Sequence, residues 1–227
     1  MRRLGLCLIL MLATGVPARA DLIALWNFND AVTGSTGGLR EFTVDRGSGV
    51  MVSDFVPANI GNAAGSTVNS QDSDTAGRAL MLQAGAGTAN NGRQLAWFAS
   101  TAGYADISVS FAAQRTSTGF GRDLFQYSLD AGSTWFDYGA PFDPLTSFAL
   151  RTFDLAAVPQ LNNNPGAAFR IVFDGATGST GNVRLDNLLV SGTPVPEPET
   201  WALVAIGLAC SLGAAVASRR NRGPGRF

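Results

Sequence analysis

Carboxylates and arginines make up almost the whole chemical inventory of this chain. Histidine does not occur in its 227 residues, every one of the 16 basic side chains is arginine, and the two cysteines, Cys7 and Cys210, lie in apolar segments near the two ends. The sequence therefore lacks the usual general base and the commonest metal ligand, which excludes Ser–His–acid and Cys–His nucleophiles and zinc sites of the usual kind. With no cysteine, residues 21–194 hold no disulfide and no thiolate metal site. Glycoside hydrolysis would need two carboxylates facing each other across a bond. Glu41 is the only glutamate in residues 21–194, and Asp123, Asp130, Asp137, Asp143, Asp154 and Asp174 stand mostly near glycine or proline, where turn roles dominate. No enzyme is expected. Trp26, Trp97 and Trp135, with Tyr104, Tyr127 and Tyr138, would suit a sugar-stacking platform, but all lie in apolar strand patterns where core packing competes.

Residues 21–194 carry nine arginines against fifteen carboxylates, a net charge of −6. Such a surface repels nucleic acid and anionic lipid, and neutral glycans or calcium are easier partners.

The elements that must hold these groups are strands. In ADISVSFAA, Ile107, Val109 and Phe111 alternate with Asp106, Ser108 and Ser110; the same period of two runs through DLFQYSL, AFRIVFDG and NVRLDNLLVSG. Further strands are expected at LIALWNF, VMVSDFV, ALMLQ, QLAWFAS, TWFDY and FALRTFDL, about ten in all, with no amphipathic helix. The expected fold is all-β, an antiparallel two-sheet sandwich of jelly-roll type that occupies residues 21–193 as one domain with one hydrophobic core. Residues 30–49 and 57–78 are poor in large apolar side chains and read as surface loops where binding would reside.

Ser128-Leu-Asp130-Ala-Gly132-Ser-Thr134-Trp135 fits the Asp-box pattern S-x-D-x-G-x-T-W. In a hairpin, Asp130 would accept turn N–H groups, Gly132 would take positive φ and Trp135 would pack beneath the turn. One copy, with no internal repeat around it, reads as a structural staple.

The two ends are of another character. Arg2-Arg3, an apolar run from about Leu4 to Ala13 and Ala18-Arg19-Ala20 read as a secretory signal peptide, residues 1–20, with cleavage expected after Ala20. Near the other end, residues 194–200 are a proline-rich linker, Trp201 to Ala217 are uncharged and as a helix reach about 26 Å, and Arg219, Arg220 and Arg222 come after them. One transmembrane helix at 201–217 and a basic cytoplasmic tail at 218–227 are expected, with the body outside. Val195-Pro196-Glu197-Pro198 ahead of that span, closed by Arg219-Arg220, resembles the PEP-CTERM sorting signal of Gram-negative bacteria, a tail also found on some ice-binding proteins. The resemblance implies an exosortase as partner, the inner membrane as a temporary station, removal of the tail, and release of the body to the cell surface or an exopolysaccharide matrix.

Arg184-Leu-Asp186-Asn187-Leu-Leu-Val-Ser-Gly192 resembles the closing strand of secreted jelly-roll modules, including carbohydrate-binding and laminin-G-like ones. That resemblance implies a calcium ion shared by Asp186 with Asn27, Asn29 or Asp30 of WNFND, oxygen donors of the kind calcium takes. Calcium apart, no cofactor is expected. The sequence thus points to a non-catalytic exported surface or matrix protein. A carbohydrate-binding module is the second reading, and a glycoside hydrolase or ice-binding protein comes after it.

Overall fold

The computed structural model describes residues 20–30 and 39–195. The expected signal peptide up to Arg19, with Ala18, the expected transmembrane helix and the motif residues Pro196, Glu197, Pro198, Arg219 and Arg220 lie outside the described residues. Two antiparallel sheets face each other. The first orders its strands β11 (Ala149–Asp154), β8 (Tyr104–Arg115), β13 (Asn182–Pro194), β1 (Asp21–Trp26) and β3 (Arg46–Gly47), and β6 (Arg78–Gln83), paired to β5 (Ile60–Ala64), also joins β13. The second runs β10 (Phe136–Asp137), β9 (Leu124–Ser128), β12 (Ala168–Phe173), β7 (Arg93–Phe98), β4 (Val50–Ser53) and β2 (Arg40–Phe42).

Alternation in the sequence becomes burial between the sheets. Ile107, Val109 and Phe111 from one sheet meet Leu95, Trp97, Phe125, Phe169 and Ile171 from the other, all with no exposed surface and all in one apolar cluster. Phe125 of β9 stacks on Phe153 of β11 with ring centroids 4.0 Å apart, tying the sheets together. Each such aromatic contributes roughly 1.5–3 kcal/mol by leaving water. A second aromatic cluster, Phe55, Phe120 and Phe173, closes one end of the core.

All ten expected strands occur. The two expected loops are partly strand, since β2 and β3 lie within 30–49 and β5 lies within 57–78. β3 is admitted by Gly47, at φ +80, where a Cβ would stand 2.0 Å from the Ile23 carbonyl oxygen; only glycine allows so close an approach.

β13 changes partner along its length. Residues 182–185 pair with β6 and residues 188–192 pair with β1, while β8 lines the other side. Asp186 and Asn187 fall at the changeover, in a bulge where Asn187 has φ +50. At the far end of β13, Gly192 stands opposite Asp21, so the first and last strands of the sandwich have their outer ends side by side. The last strand runs to Pro194, one residue past the expected limit of the domain, and Val195 N–H still donates to the Gly103 carbonyl at 2.8 Å.

Candidate functional site

The outer face of the second sheet carries a row that is polar over its β12, β9 and β10 positions. Glu41, Val52, Ala96, Arg170, Gln126 and Asp137 stand directly opposite one another across its six strands. The alternation that buries Phe169 and Ile171 turns Arg170 outward, where its Nε donates to Gln126 Oε1 and its Nη1 to Gln94 Oε1 at 2.7 Å. Gln126 Nε2 in turn donates to Asp137 Oδ1. Trp135 lies over this network, its ring centroid 4.3 Å from the Arg170 guanidinium carbon, a cation–π distance. Partial burial under the indole draws the Arg170 guanidinium below its ordinary pKa, although Asp54 and Asp137 pull the other way.

The Asp-box hairpin delivers that indole. Ser128 Oγ donates to Asp130 Oδ1 at 2.7 Å and accepts Gly132 N–H at 2.9 Å; Asp130 Oδ1 also accepts Thr134 N–H at 2.8 Å. These bonds, the Ser128 hydroxyl first, hold the Asp130 carboxyl below its ordinary pKa. Gly132 has φ +85, and a Cβ there would meet Trp135 at 3.2 Å and Phe98 at 3.1 Å. The turn therefore closes directly onto Trp135.

Trp135 stands apart from the other two tryptophans. Trp26 and Trp97 have no exposed surface, and Trp26 Nε1 donates to the Phe42 carbonyl. Tyr127 and Tyr138 pack against the edge of the core, with Tyr127 stacked on the exposed Phe136. Arg170, Gln94 and Gln126 belong to no local motif; only the pairing of strands distant in sequence brings them together.

The carboxylates that could serve catalysis do not form one group, although Asp143 and Asp174 lie near enough to Asp123 to raise its carboxyl. Glu41 and Asp137 are at opposite ends of the row, five strand spacings or about 24 Å apart, too far to flank one bond. Asp143 is engaged by Arg115 Nε and Nη2. Asp123 is wholly buried beside them with both oxygens unpartnered, and burial pushes its carboxyl well above the usual range.

The residues expected to hold calcium occupy a neighbouring region but have other partners. Asp186 Oδ2 accepts Ser66 N–H at 2.6 Å and Oδ1 accepts Asn187 N–H at 2.9 Å. Asn187 Nδ2 donates to the Ser66 and Val68 carbonyls, and Asn69 Nδ2 returns a bond to the Asn187 carbonyl. The strand changeover in β13 thus pins the 65–69 loop. Desolvation pushes the Asp186 carboxyl up to about 7 despite its two N–H donors. Asn27 Oδ1 accepts Asn29 N–H, Asn29 Oδ1 accepts Arg78 N–H at 2.8 Å, and Asp30 is exposed. Among the described residues no three acidic, histidine or cysteine side chains are grouped to hold a metal ion.

At the end where β1 starts and β13 stops, three connections are knitted together. Gly103 N–H donates to Asn163 Oδ1 at 2.8 Å, Thr101 N–H to the Asn164 carbonyl at 3.0 Å, and Ala131 N–H to the Gly166 carbonyl at 2.8 Å. Asn164 Nδ2 reaches the Leu129 and Gln160 carbonyls while its Oδ1 accepts Gly166 N–H. From this plate the chain leaves at Val195.

The character of the chain beyond Val195 is decided by comparison with known families. Residues 194–221 match the PEP-CTERM protein-sorting motif. The motif therefore begins on the last residue of β13. No curated protein matches the chain. Among solved structures, the sandwich resembles carbohydrate-binding module folds. The xylan-binding domain of Paenibacillus barcinonensis Xyn10C is 10% identical, with 80% of this chain and 100% of that one covered at a TM-score of 0.43. A family 29 carbohydrate-binding module solved with mannohexaose is 14% identical, covering 76% and 92% at 0.39. A mannan-recognising carbohydrate-binding module is 10% identical, covering 77% and 99% at 0.38.

Proposed function

We propose that this chain is a non-catalytic surface or matrix protein, exported by its signal peptide, held briefly at the inner membrane and released when an exosortase removes the PEP-CTERM tail. The observation that carries the reading is the direct succession of a closed sandwich and the sorting motif, with no further domain between β13 and Pro196. In cells that contain an exosortase, the exported protein is expected to begin at Asp21 and to lack the residues beyond about Pro198 by intact mass. Substitution of Glu197 by alanine is expected to leave the precursor in the membrane fraction. A surface form of wild-type protein that retains Trp201 to Phe227 refutes the reading.

A second role is supported by the Trp135–Arg170 network: association with extracellular polysaccharide through the outer face of the second sheet. A half-buried indole on a guanidinium, flanked by two glutamines and Asp137, offers a flat apolar surface ringed by donors and acceptors, which is what a sugar ring requires. Binding to neutral polysaccharides, measured by affinity electrophoresis, is expected to be lost on Trp135→Ala and retained on Phe136→Ala. Undiminished binding by the first variant removes this role and leaves the first reading standing.

A further inference from the structure

Covalent chemistry that needs no enzyme is available at one dipeptide. Asn91 precedes Gly92, and no other asparagine in the chain precedes a glycine. In such a pair the glycine amide nitrogen can attack the asparagine Cγ, because a residue without a Cβ neither shields its own nitrogen nor resists the backbone rotation the attack requires. Gly92 is exposed at φ +82, and a Cβ there would meet no atom within 4 Å. Nothing around it hinders the approach.

The fold holds both reacting groups elsewhere. Gly92 N–H donates to the Phe173 carbonyl at 2.7 Å. The Asn91 carboxamide is bound at both ends to one residue: Nδ2 donates to the Ala176 carbonyl at 3.1 Å, and Oδ1 accepts Ala176 N–H at 3.1 Å. Asn91 therefore fastens the 84–92 turn to the 174–181 turn, and Ala176 is buried in the core cluster. Attack can begin only when these three bonds open together, so the cost of that local opening protects the site. Asn90 differs. It is wholly buried, its carboxamide is taken by Val56 N–H and the Gln83 carbonyl, and a residue with a side chain follows it.

We propose that Asn91 is a site of spontaneous covalent modification, converted to aspartate and isoaspartate through a succinimide with Gly92, and that this conversion releases the 174–181 turn at Ala176. The Gly92 nitrogen bonds to Asn91 Cγ and gives its proton to solvent, while the Cγ–Nδ2 bond breaks and ammonia leaves. Water then opens the ring. Addition at Cγ restores the main chain with an aspartate; addition at the main-chain carbonyl of residue 91 gives an isoaspartate, whose main chain runs through Cβ and Cγ. No oxidant or reductant takes part. Either product has lost the Nδ2 donor, so the buried Ala176 carbonyl loses its partner and faces a carboxylate instead. Isoaspartate also inserts one extra atom into the chain ahead of Arg93, the residue at which β7 begins its pairing with Phe173 of β12. Phe173 belongs to the aromatic cluster that closes this end of the core. The site depends on neither sorting nor sugar binding, and a body kept in an extracellular matrix is exposed to the reaction for longer than one renewed in the cell.

The test ages the full chain, purified in mild detergent, at mildly alkaline pH for several weeks. Trypsin cuts this lysine-free chain only after arginine, so Asn90 and Asn91 are carried together on the peptide 79–93. Electron-transfer fragmentation then reads which of them has exchanged its amide for a carboxyl, and whether the product is isoaspartate. Conversion is expected at Asn91 and not at Asn90, at least about tenfold slower in the folded protein than in urea. Faster amide exchange at Gly92 and Ala176 than in fresh protein should accompany it. N91D, which carries the direct product with the main chain unaltered, is expected to melt roughly 5 °C below wild type; if it does not fold, amide exchange in the aged wild-type protein decides. Conversion at other asparagines with Asn91 intact, equal rates in folded and urea-treated protein, unchanged exchange at Ala176 after ageing, or N91D melting with the wild type overturns the proposal.

Discussion

Replacing Asp186 by asparagine removes a charge from the one place in β13 where the ladder changes partner, and the consequence for stability is set by pH. The carboxyl is raised from an ordinary value of 3.8 to about 7 because it is 1% exposed and its two N–H donors only partly offset the lost hydration. A raised carboxyl keeps its proton in the folded state at a pH where the unfolded chain has lost it. The folded state therefore binds more protons, and stability falls as pH rises between about 4 and 7. At ~1.4 kcal/mol per pH unit, a displacement of about three units sets an upper bound on the order of 4 kcal/mol for the stability lost through this residue between pH 3.5 and pH 8. Screening by water around the surface loop at 65–69 lowers that to about 2–3 kcal/mol. The amide introduced by D186N stays neutral throughout, and its oxygen accepts one of the same N–H groups. D186N is thus expected to match the wild type to within about 1 kcal/mol at pH 4 and to exceed it by about 2–3 kcal/mol at pH 8. Urea unfolding followed by tryptophan emission, repeated across this range, measures both curves. Burial raises Asp123 and Asp45 as well, giving slopes of the same sign, so the difference between the two proteins isolates Asp186. Parallel curves, with D186N retaining the whole slope, would falsify the assignment of a buried, proton-holding carboxyl to this bulge.

Gly132→Ala forces a left-handed backbone on a residue with a Cβ, at about 1–2 kcal/mol, and sets that Cβ against Trp135 and Phe98. Thermal melting records the loss, and near-ultraviolet dichroism records displacement of Trp135 from Arg170; an unchanged tryptophan signal contradicts that packing. Asn164→Ala removes three hydrogen bonds, one of which, to the Leu129 carbonyl, joins the 159–167 connection to the Asp-box hairpin, and is expected to lower stability by about 2–3 kcal/mol. Faster amide exchange at Gly166 should accompany it, and wild-type exchange there would show that the clamp is not needed.

Much of the sandwich is legible in the sequence because a sheet with one buried face writes itself as alternation. ADISVSFAA and AFRIVFDG disclose both their strands and the side that turns inward. The strands that are not legible, Arg40–Phe42, Arg46–Gly47 and Ile60–Ala64, contain little apolar signal of their own. Their conformation is imposed by neighbours, β5 by pairing with all of Ile60–Ala64 against β6 and β3 by a glycine that lets it lie on β1. The Asp-box hairpin is local and readable within eight residues. Arg170 with Gln94 and Gln126 is not, since the polar side of a strand looks alike whether it faces bare solvent or another strand's donors. The fate of the three tryptophans shows the same limit. Alternation marks Trp97 as inward, but Trp135 lies at a turn, beside a strand of two residues, where period has no hold.

The side-by-side ends of β1 and β13 also bear on how such a body is inherited. Asp21 and Gly192 occupy neighbouring strands, a spacing of about 4.8 Å, so a foreign chain could open to receive residues 21–192 and close again almost without stretching. The sandwich is in that sense a portable insert. On the reading proposed above, its route to the outside is written in the segments on either side, and recombination could exchange those while the insert stays intact.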